Sequence, residues 1–108
     1  MPRFTYSETV DQAARILFAE HRVSVSDLYG KCTAPGYVVD ESTDGKVRVS
    51  HRMPEPDLLD DDRMSDDEMA AERHRMVDAY AATLAAAGWA VERKGPRNRR
   101  PYLLARPS

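Results

Sequence analysis

Residues 36–52 read Gly36-Tyr37-Val38-Val39-Asp40-Glu41-Ser42-Thr43-Asp44-Gly45-Lys46-Val47-Arg48-Val49-Ser50-His51-Arg52, and this stretch decides the class of fold. Val47, Val49 and His51 alternate with Arg48, Ser50 and Arg52, the period-two pattern of a strand with one buried face. Tyr37 and Val39 share a face in the same way. Asp44-Gly45 between the two runs signals a tight hairpin, because both residue types tolerate the positive φ such turns require. Pro54 and Pro56 end the second run.

Upstream, Val10, Ala13, Ala14, Leu17 and Phe18 recur at helical spacing and predict a helix from near Ser7 or Thr9 to about His21. Thr9 with Gln12, and Thr5 with Glu8, both fit a capping box. Ser24 with Asp27 predicts one or two further helical turns ending near Gly30 or Lys31, with Val25, Leu28 and Tyr29 on one side. Downstream, residues 54–64 are too poor in apolar groups to be core and read as an acidic loop. Ser65 then opens a second long helix, with Glu68 completing a capping box, Asp66 and Asp67 facing the positive end of the dipole, and Gly88 as the terminator. Met69, Met76, Val77, Tyr80, Leu84 and Ala87 form its apolar stripe. Residues 89–93 and 101–106 read as two strands around an arginine-rich loop.

The reading is therefore a single α+β domain over residues 1–108, ordered helix, hairpin, helix, hairpin (αββαββ-like). A four-stranded antiparallel sheet carries two long helices on one face, with Tyr37, Val39, Val47, Val49, Trp89, Val91 and Leu104 directed into the core. Ala34-Pro35-Gly36-Tyr37-Val38-Val39-Asp40 aligns with Ala86-Ala87-Gly88-Trp89-Ala90-Val91-Glu92, which suggests a duplication, although any helix-to-strand junction favours glycine followed by an aromatic. The other sheet face is read as open, carrying Asp40, Arg48, Ser50, Arg52 and Glu92.

A length of 108 residues suits one core, and 31% charged residues describe a well-solvated surface. Residues 79–91 are too short and too weakly apolar to span a bilayer. Arg3, Glu8, Asp11 and Arg15 interrupt any secretory leader pattern. Cys32 is the single cysteine, so no internal disulfide forms, and a cytoplasmic location is expected. Thirteen of the 16 basic residues are arginine, the composition of a GC-rich bacterial or phage genome.

The net charge of −2 conceals a polarity along the chain. Between Glu55 and Glu68, eight acidic residues face one base, Arg63. Beyond Glu92 the balance reverses, with Arg93, Lys94, Arg97, Arg99, Arg100 and Arg106. These six are the candidate nucleic-acid-binding residues, because a projecting cationic loop meets successive phosphates and arginine binds them bidentately. A solvated hairpin pairing with the protein's own acidic loop accounts for the same residues without a ligand.

The run from Leu84 to Leu104, a helix end followed by Gly88-Trp89-Ala90-Val91-Glu92-Arg93 and the arginine-rich turn, locally resembles the wing of winged-helix transcription regulators. That resemblance covers about a fifth of the chain and implies phosphate contact by the turn. The chain departs from the family in having no recognition helix, since Pro35 and Gly36 lead directly into a strand.

Enzymatic patterns are lacking: there is no glycine-rich phosphate loop, no GxSxG and no HExxH. His21, His51 and His74 fall on three elements and read as surface or strand-end residues. Cys32 and His51 would make a nucleophile pair only through tertiary proximity. The acidic run lacks the ligand alternation and central glycine of a calcium loop. Tyr37, Trp89 and Tyr102 suit a core better than a base-stacking platform. The function expected is thus that of a small non-catalytic interaction or regulatory protein without metal or cofactor, self-associating or bound to a protein partner. Nucleic-acid binding through the basic hairpin is the alternative.

Overall fold

In the computed structural model, residues 2–108 are described, and their side chains from Glu8 onward. The chain is α+β, with two long helices, a four-stranded antiparallel sheet and a separate two-stranded sheet. Helix α1 spans Pro2–Phe18, so it begins upstream of Ser7 and places both Thr5 and Thr9 inside the helix instead of at its cap. Proline suits a first helical position, where its missing N–H has no helical partner to lose. The helix ends at Phe18, and Phe18 itself is exposed, leaving Ala13 and Leu17 as its fully buried contribution.

The segment after α1 departs furthest from expectation. Residues 24–31 form no helix: strand β1 (Val25–Ser26) pairs antiparallel with β2 (Cys32–Ala34). Asp27 decides this, because its carboxylate accepts from the backbone N–H of Tyr29 and of Lys31 at 2.9 and 3.0 Å. Such a side-chain bond to the backbone competes with helix formation and closes a turn instead. Gly30 completes the turn at φ +78°, and Leu28 and Tyr29 project from its tip almost fully exposed.

The large sheet contains β3 (Gly36–Glu41), β4 (Val47–Arg52), β5 (Trp89–Lys94) and β6 (Tyr102–Pro107) in the order β3-β4-β6-β5. Strands β3 and β4 are joined through Asp44 and Gly45, at φ +61° and +73°, with the Lys46 N–H donating to the Thr43 carbonyl. Two consecutive positive φ values match the right-handed twist of the strands they connect. Before β3, the chain crosses the edge of the sheet, where the Tyr37 N–H donates to the Arg22 carbonyl and the Ser24 N–H to the Tyr37 carbonyl.

Helix α2 (Asp66–Ala86) starts on a complete capping box, with Ser65 Oγ accepting from the Glu68 N–H at 3.1 Å and Glu68 Oε1 from the Ser65 N–H at 3.0 Å. It ends at Ala87, followed by Gly88 at φ +90°. Met69, Val77, Tyr80 and Leu84 are buried, whereas Ala87 is exposed at the cap.

The core joins Ala13 and Leu17 to Val77, Tyr80 and Leu84, and packs them against Tyr37, Val47, Val49, Trp89, Leu103 and Ala105. Val39 and Val91 lie at its margin. Leu104 is not in it. Val49 pairs with Leu103 and Val47 with Ala105, so Leu104, opposite Arg48, takes the other face. A shift of one residue reverses every side chain of a strand, and the doublet Leu103-Leu104 is apolar in either register.

Candidate anion-binding cleft

The antiparallel ladder between β4 and β6 ends at Ser50 opposite Tyr102. The next residue on the β6 side is Pro101, which has no N–H to continue it. The last two residues of β4 therefore separate from the chain at Arg100 and Pro101, and a cleft of about 960 Å³ opens between them. One wall is the turn carrying Tyr29 to Cys32, and the opposite wall is the arginine loop with Asp66, Met69 and Arg73 of α2. These three α2 positions follow helical spacing and share a face.

Each wall is held by identifiable bonds. Arg52 donates to Ser26 Oγ at 3.0 Å and to the Gly30 carbonyl, fastening the β1–β2 turn to the end of β4. The arginine loop is fixed on α2: His74 Nε2 donates to the Asn98 carbonyl at 2.7 Å and Arg73 to that of Arg99 at 3.4 Å. Within the loop, the Asn98 N–H closes a turn on the Gly95 carbonyl.

Six cations line the cleft: Lys31, Arg48, Arg52, Arg73, Arg99 and Arg100. Three carboxylates, of Asp40, Glu55 and Asp66, share it. Arg48 lies over the Tyr102 ring, 4.0 Å from its centroid, a cation–π contact between neighbouring strands. Arg73 is held below the ordinary arginine range, first by burial and then by the neighbouring charge of Arg100, with Asp66 acting in the opposite sense.

The six basic residues singled out in the sequence do not form one surface. Arg93 turns to the helix side and pairs with Asp78, while Lys94 pairs with Glu92 at 2.6 Å on the other sheet face. Arg106 borders a separate hollow of about 230 Å³ with Lys46, Glu92 and Leu104. Arg97 is exposed at the loop, and only Arg99 and Arg100 enter the cleft. Arg99 reaches Asp67 at 3.2 Å, in the first turn of α2 and outside the loop at residues 54–64. That loop is organised internally, with Asp57 and Asp60 accepting from the N–H groups of Leu59 and Asp62, and Arg63 donating to the carbonyls of Leu58 and Asp60.

His51 stands at the end of β4, as the strand-end reading has it, but it is not on the surface. His51 is 7% exposed and its Nδ1 lies 2.7 Å from the Tyr80 hydroxyl. His21 packs edge-on against the same Tyr80 ring at 4.9 Å and donates through Nε2 to Thr83 Oγ1 at 2.7 Å, while Thr83 donates to Glu20. A cluster drawn from positions 21, 37, 51 and 80 has no local spacing, so no sequence motif announces it. His51 Nε2 is buried with no hydrogen-bond partner among the described residues, and His51 lines the cleft.

Burial holds the His51 imidazole below the ordinary histidine value; Glu72 opposes this, and Arg73 and Arg75 reinforce it. The unfolded chain then binds that proton more tightly than the folded one, so stability falls as pH drops through about 6.5, the unperturbed histidine value. Urea unfolding at pH 7.5 and 5.5 is expected to show a lower midpoint at the lower pH, and His51→Gln should reduce that difference. An unchanged pH dependence in the variant would assign it to other groups.

No group of histidine, cysteine and acidic side chains suited to a metal ion occurs among the described residues. No helix among the described residues is long and apolar enough to cross a membrane. Compared with protein-family models, curated protein sequences and solved structures, the chain matches none.

Proposed function

We propose that this chain is a small non-catalytic interaction protein whose partner is a polyanion, nucleic acid being the partner that the charge arrangement suits. The observation carrying this reading is the convergence of six cations on one cleft beside an exposed arginine loop. Spaced guanidinium groups favour a repeating phosphate chain over a single small anion, and the exposed Arg97 extends the charge beyond the cleft that Arg99 and Arg100 line. The reading takes both long helices as covering one sheet face, and the cytoplasm as the compartment.

Fluorescence anisotropy with short single-stranded and duplex oligonucleotides, repeated over a salt series, tests it. Affinity is expected to fall with log salt at a slope of about −0.9 per phosphate contacted on duplex and about −0.7 on single strands. Arg97, Arg99 and Arg100 all changed to Glu should abolish binding. Salt-independent affinity, or full affinity in that triple variant, would refute the assignment.

A second reading, self-association, draws on the sheet face opposite the core. Asp40 stands opposite Arg48, Glu92 opposite Leu104 and Lys94 opposite Tyr102, a mixed apolar and charged row suited to pairing with a rotated copy of itself. Light scattering at low and high salt separates the two: a salt-resistant dimer indifferent to oligonucleotides supports the second reading.

A further inference from the structure

The Tyr80 hydroxyl is buried, and a buried hydroxyl proton requires an acceptor. The acceptor at hydrogen-bond distance is His51 Nδ1, at 2.7 Å. With Nδ1 accepting, the neutral ring carries its own proton on Nε2, the atom left without an acceptor. Burial raises the Tyr80 pKa far above the ordinary tyrosine range, Glu72 and Tyr37 adding to it, so the hydroxyl keeps the proton it donates. Leaving a buried N–H unpaired is unfavourable unless something supplies the missing oxygen.

Two guanidinium groups, of Arg73 and Arg100, line the same cleft as His51, whose Nε2 lies just beneath the cleft surface. Arg73, anchored on the Arg99 carbonyl, lies close enough to Arg100 to feel its charge, and Arg100 makes no ion pair with the described residues. Asp66 is the carboxylate whose charge acts on Arg73 in the opposite sense, without forming an ion pair with it, whereas Arg99 pairs with Asp67. Two like charges held together beside a stranded N–H donor form a receptor for a compact anion with several oxygens and about two negative charges. A phosphate monoester has both properties, whereas an internal phosphodiester carries one charge and two free oxygens.

We propose that the part of the cleft lined by His51, Arg73 and Arg100 is a subsite for a phosphate monoester: the terminal phosphate of a nucleic-acid strand whose backbone continues along the arginine loop. This rests on the polyanion reading above and adds to it a preference for one kind of strand end.

The test compares oligonucleotides of one sequence bearing a 5′-phosphate, a 3′-phosphate or hydroxyl at both ends. One phosphorylated form is expected to bind about tenfold or more tightly than the hydroxyl form, the scale of a lost charge-assisted contact. Arg100→Ala and Arg73→Gln should remove that preference, the phosphorylated strands losing more affinity than the hydroxyl-ended strand, which both changes also weaken. Inorganic phosphate, followed by proton–nitrogen NMR of the histidine rings, should shift the His51 Nε2 signal and leave His74 in place. Equal affinity for all three oligonucleotides overturns the subsite and leaves the polyanion reading intact. If no oligonucleotide binds, that reading fails with it. A His51 signal unmoved by phosphate overturns the subsite directly.

Discussion

Gly36→Ala is expected to cost about 3–5 kcal/mol, a large part of the stability of a domain this size. A Cβ at this position would lie 2.3 Å from the Val23 carbonyl carbon, 2.4 Å from the Ser24 nitrogen and 2.5 Å from the Arg22 carbonyl oxygen. All three atoms are backbone, so no rotamer change relieves the contact. The crossing segment must move away, and the two hydrogen bonds tying it to Tyr37 stretch or break. Tyr37 is itself core and its hydroxyl donates to the Ala14 carbonyl at 3.2 Å, so the displacement reaches α1. Gly88→Ala is the control: its Cβ would meet nothing within 4 Å, leaving only the strain of φ +90°, about 1–2 kcal/mol. Chemical denaturation of both variants checks the ranking, and a Gly36→Ala midpoint near wild type would show that the crossing is loosely held.

The same pair of glycines shows how far the sequence could be read. Gly36-Tyr37 and Gly88-Trp89 look alike and open the two edge strands of the sheet. Yet Gly88 is needed for its left-handed backbone, and Gly36 for the passage of another segment. The first requirement is local and follows from a helix ending; the second depends on residues folding back from a distance. The likeness of the two junctions is accordingly no evidence for duplication at the glycines themselves.

The α+β class, the capping box at Ser65 and the valines of β4 were legible because each has a local cause. Ser24 with Asp27 does not decide the local structure, because an acid three residues after serine serves a helix start or an Asx turn equally well, and tertiary bonds from Arg52 secure the turn. Leu104 takes the face opposite the core because two adjacent leucines leave the strand register open and the pairing with β4 chooses Leu103. The basic residues were visible as a run, but pairing sends Arg93 to Asp78 and Lys94 to Glu92, and the cleft instead recruits Lys31, Arg48, Arg52 and Arg73 from elsewhere. Charge along a chain marks a surface only when its residues share a face, and alternation within β5 separates Arg93 from Lys94.

Tyr80→Ala is expected to destabilise the fold by about 3–5 kcal/mol, the range for deleting a large buried aromatic. Tyr80 is the largest side chain in the fully buried set, and the rings of His21, Tyr37 and His51 surround it at centroid distances of 4.9, 6.1 and 5.9 Å. Tyr80→Phe divides this total into its parts. It preserves the packing and removes the hydroxyl, leaving His51 Nδ1 with no donor, at a cost of about 1–3 kcal/mol. The smaller change carries the sharper consequence, because the hydroxyl also fixes which ring nitrogen of His51 bears the proton. Without it the proton is free to move to Nδ1, and the donor beneath the cleft surface is lost. Tyr80→Phe should therefore weaken inorganic phosphate binding at a temperature where the variant remains folded, while hydroxyl-ended oligonucleotides bind as before. Equilibrium unfolding and the His51 nitrogen shifts measure the two effects separately. A Tyr80→Phe protein as stable as wild type, with its His51 proton still on Nε2, would mean that Nδ1 does not depend on the tyrosine.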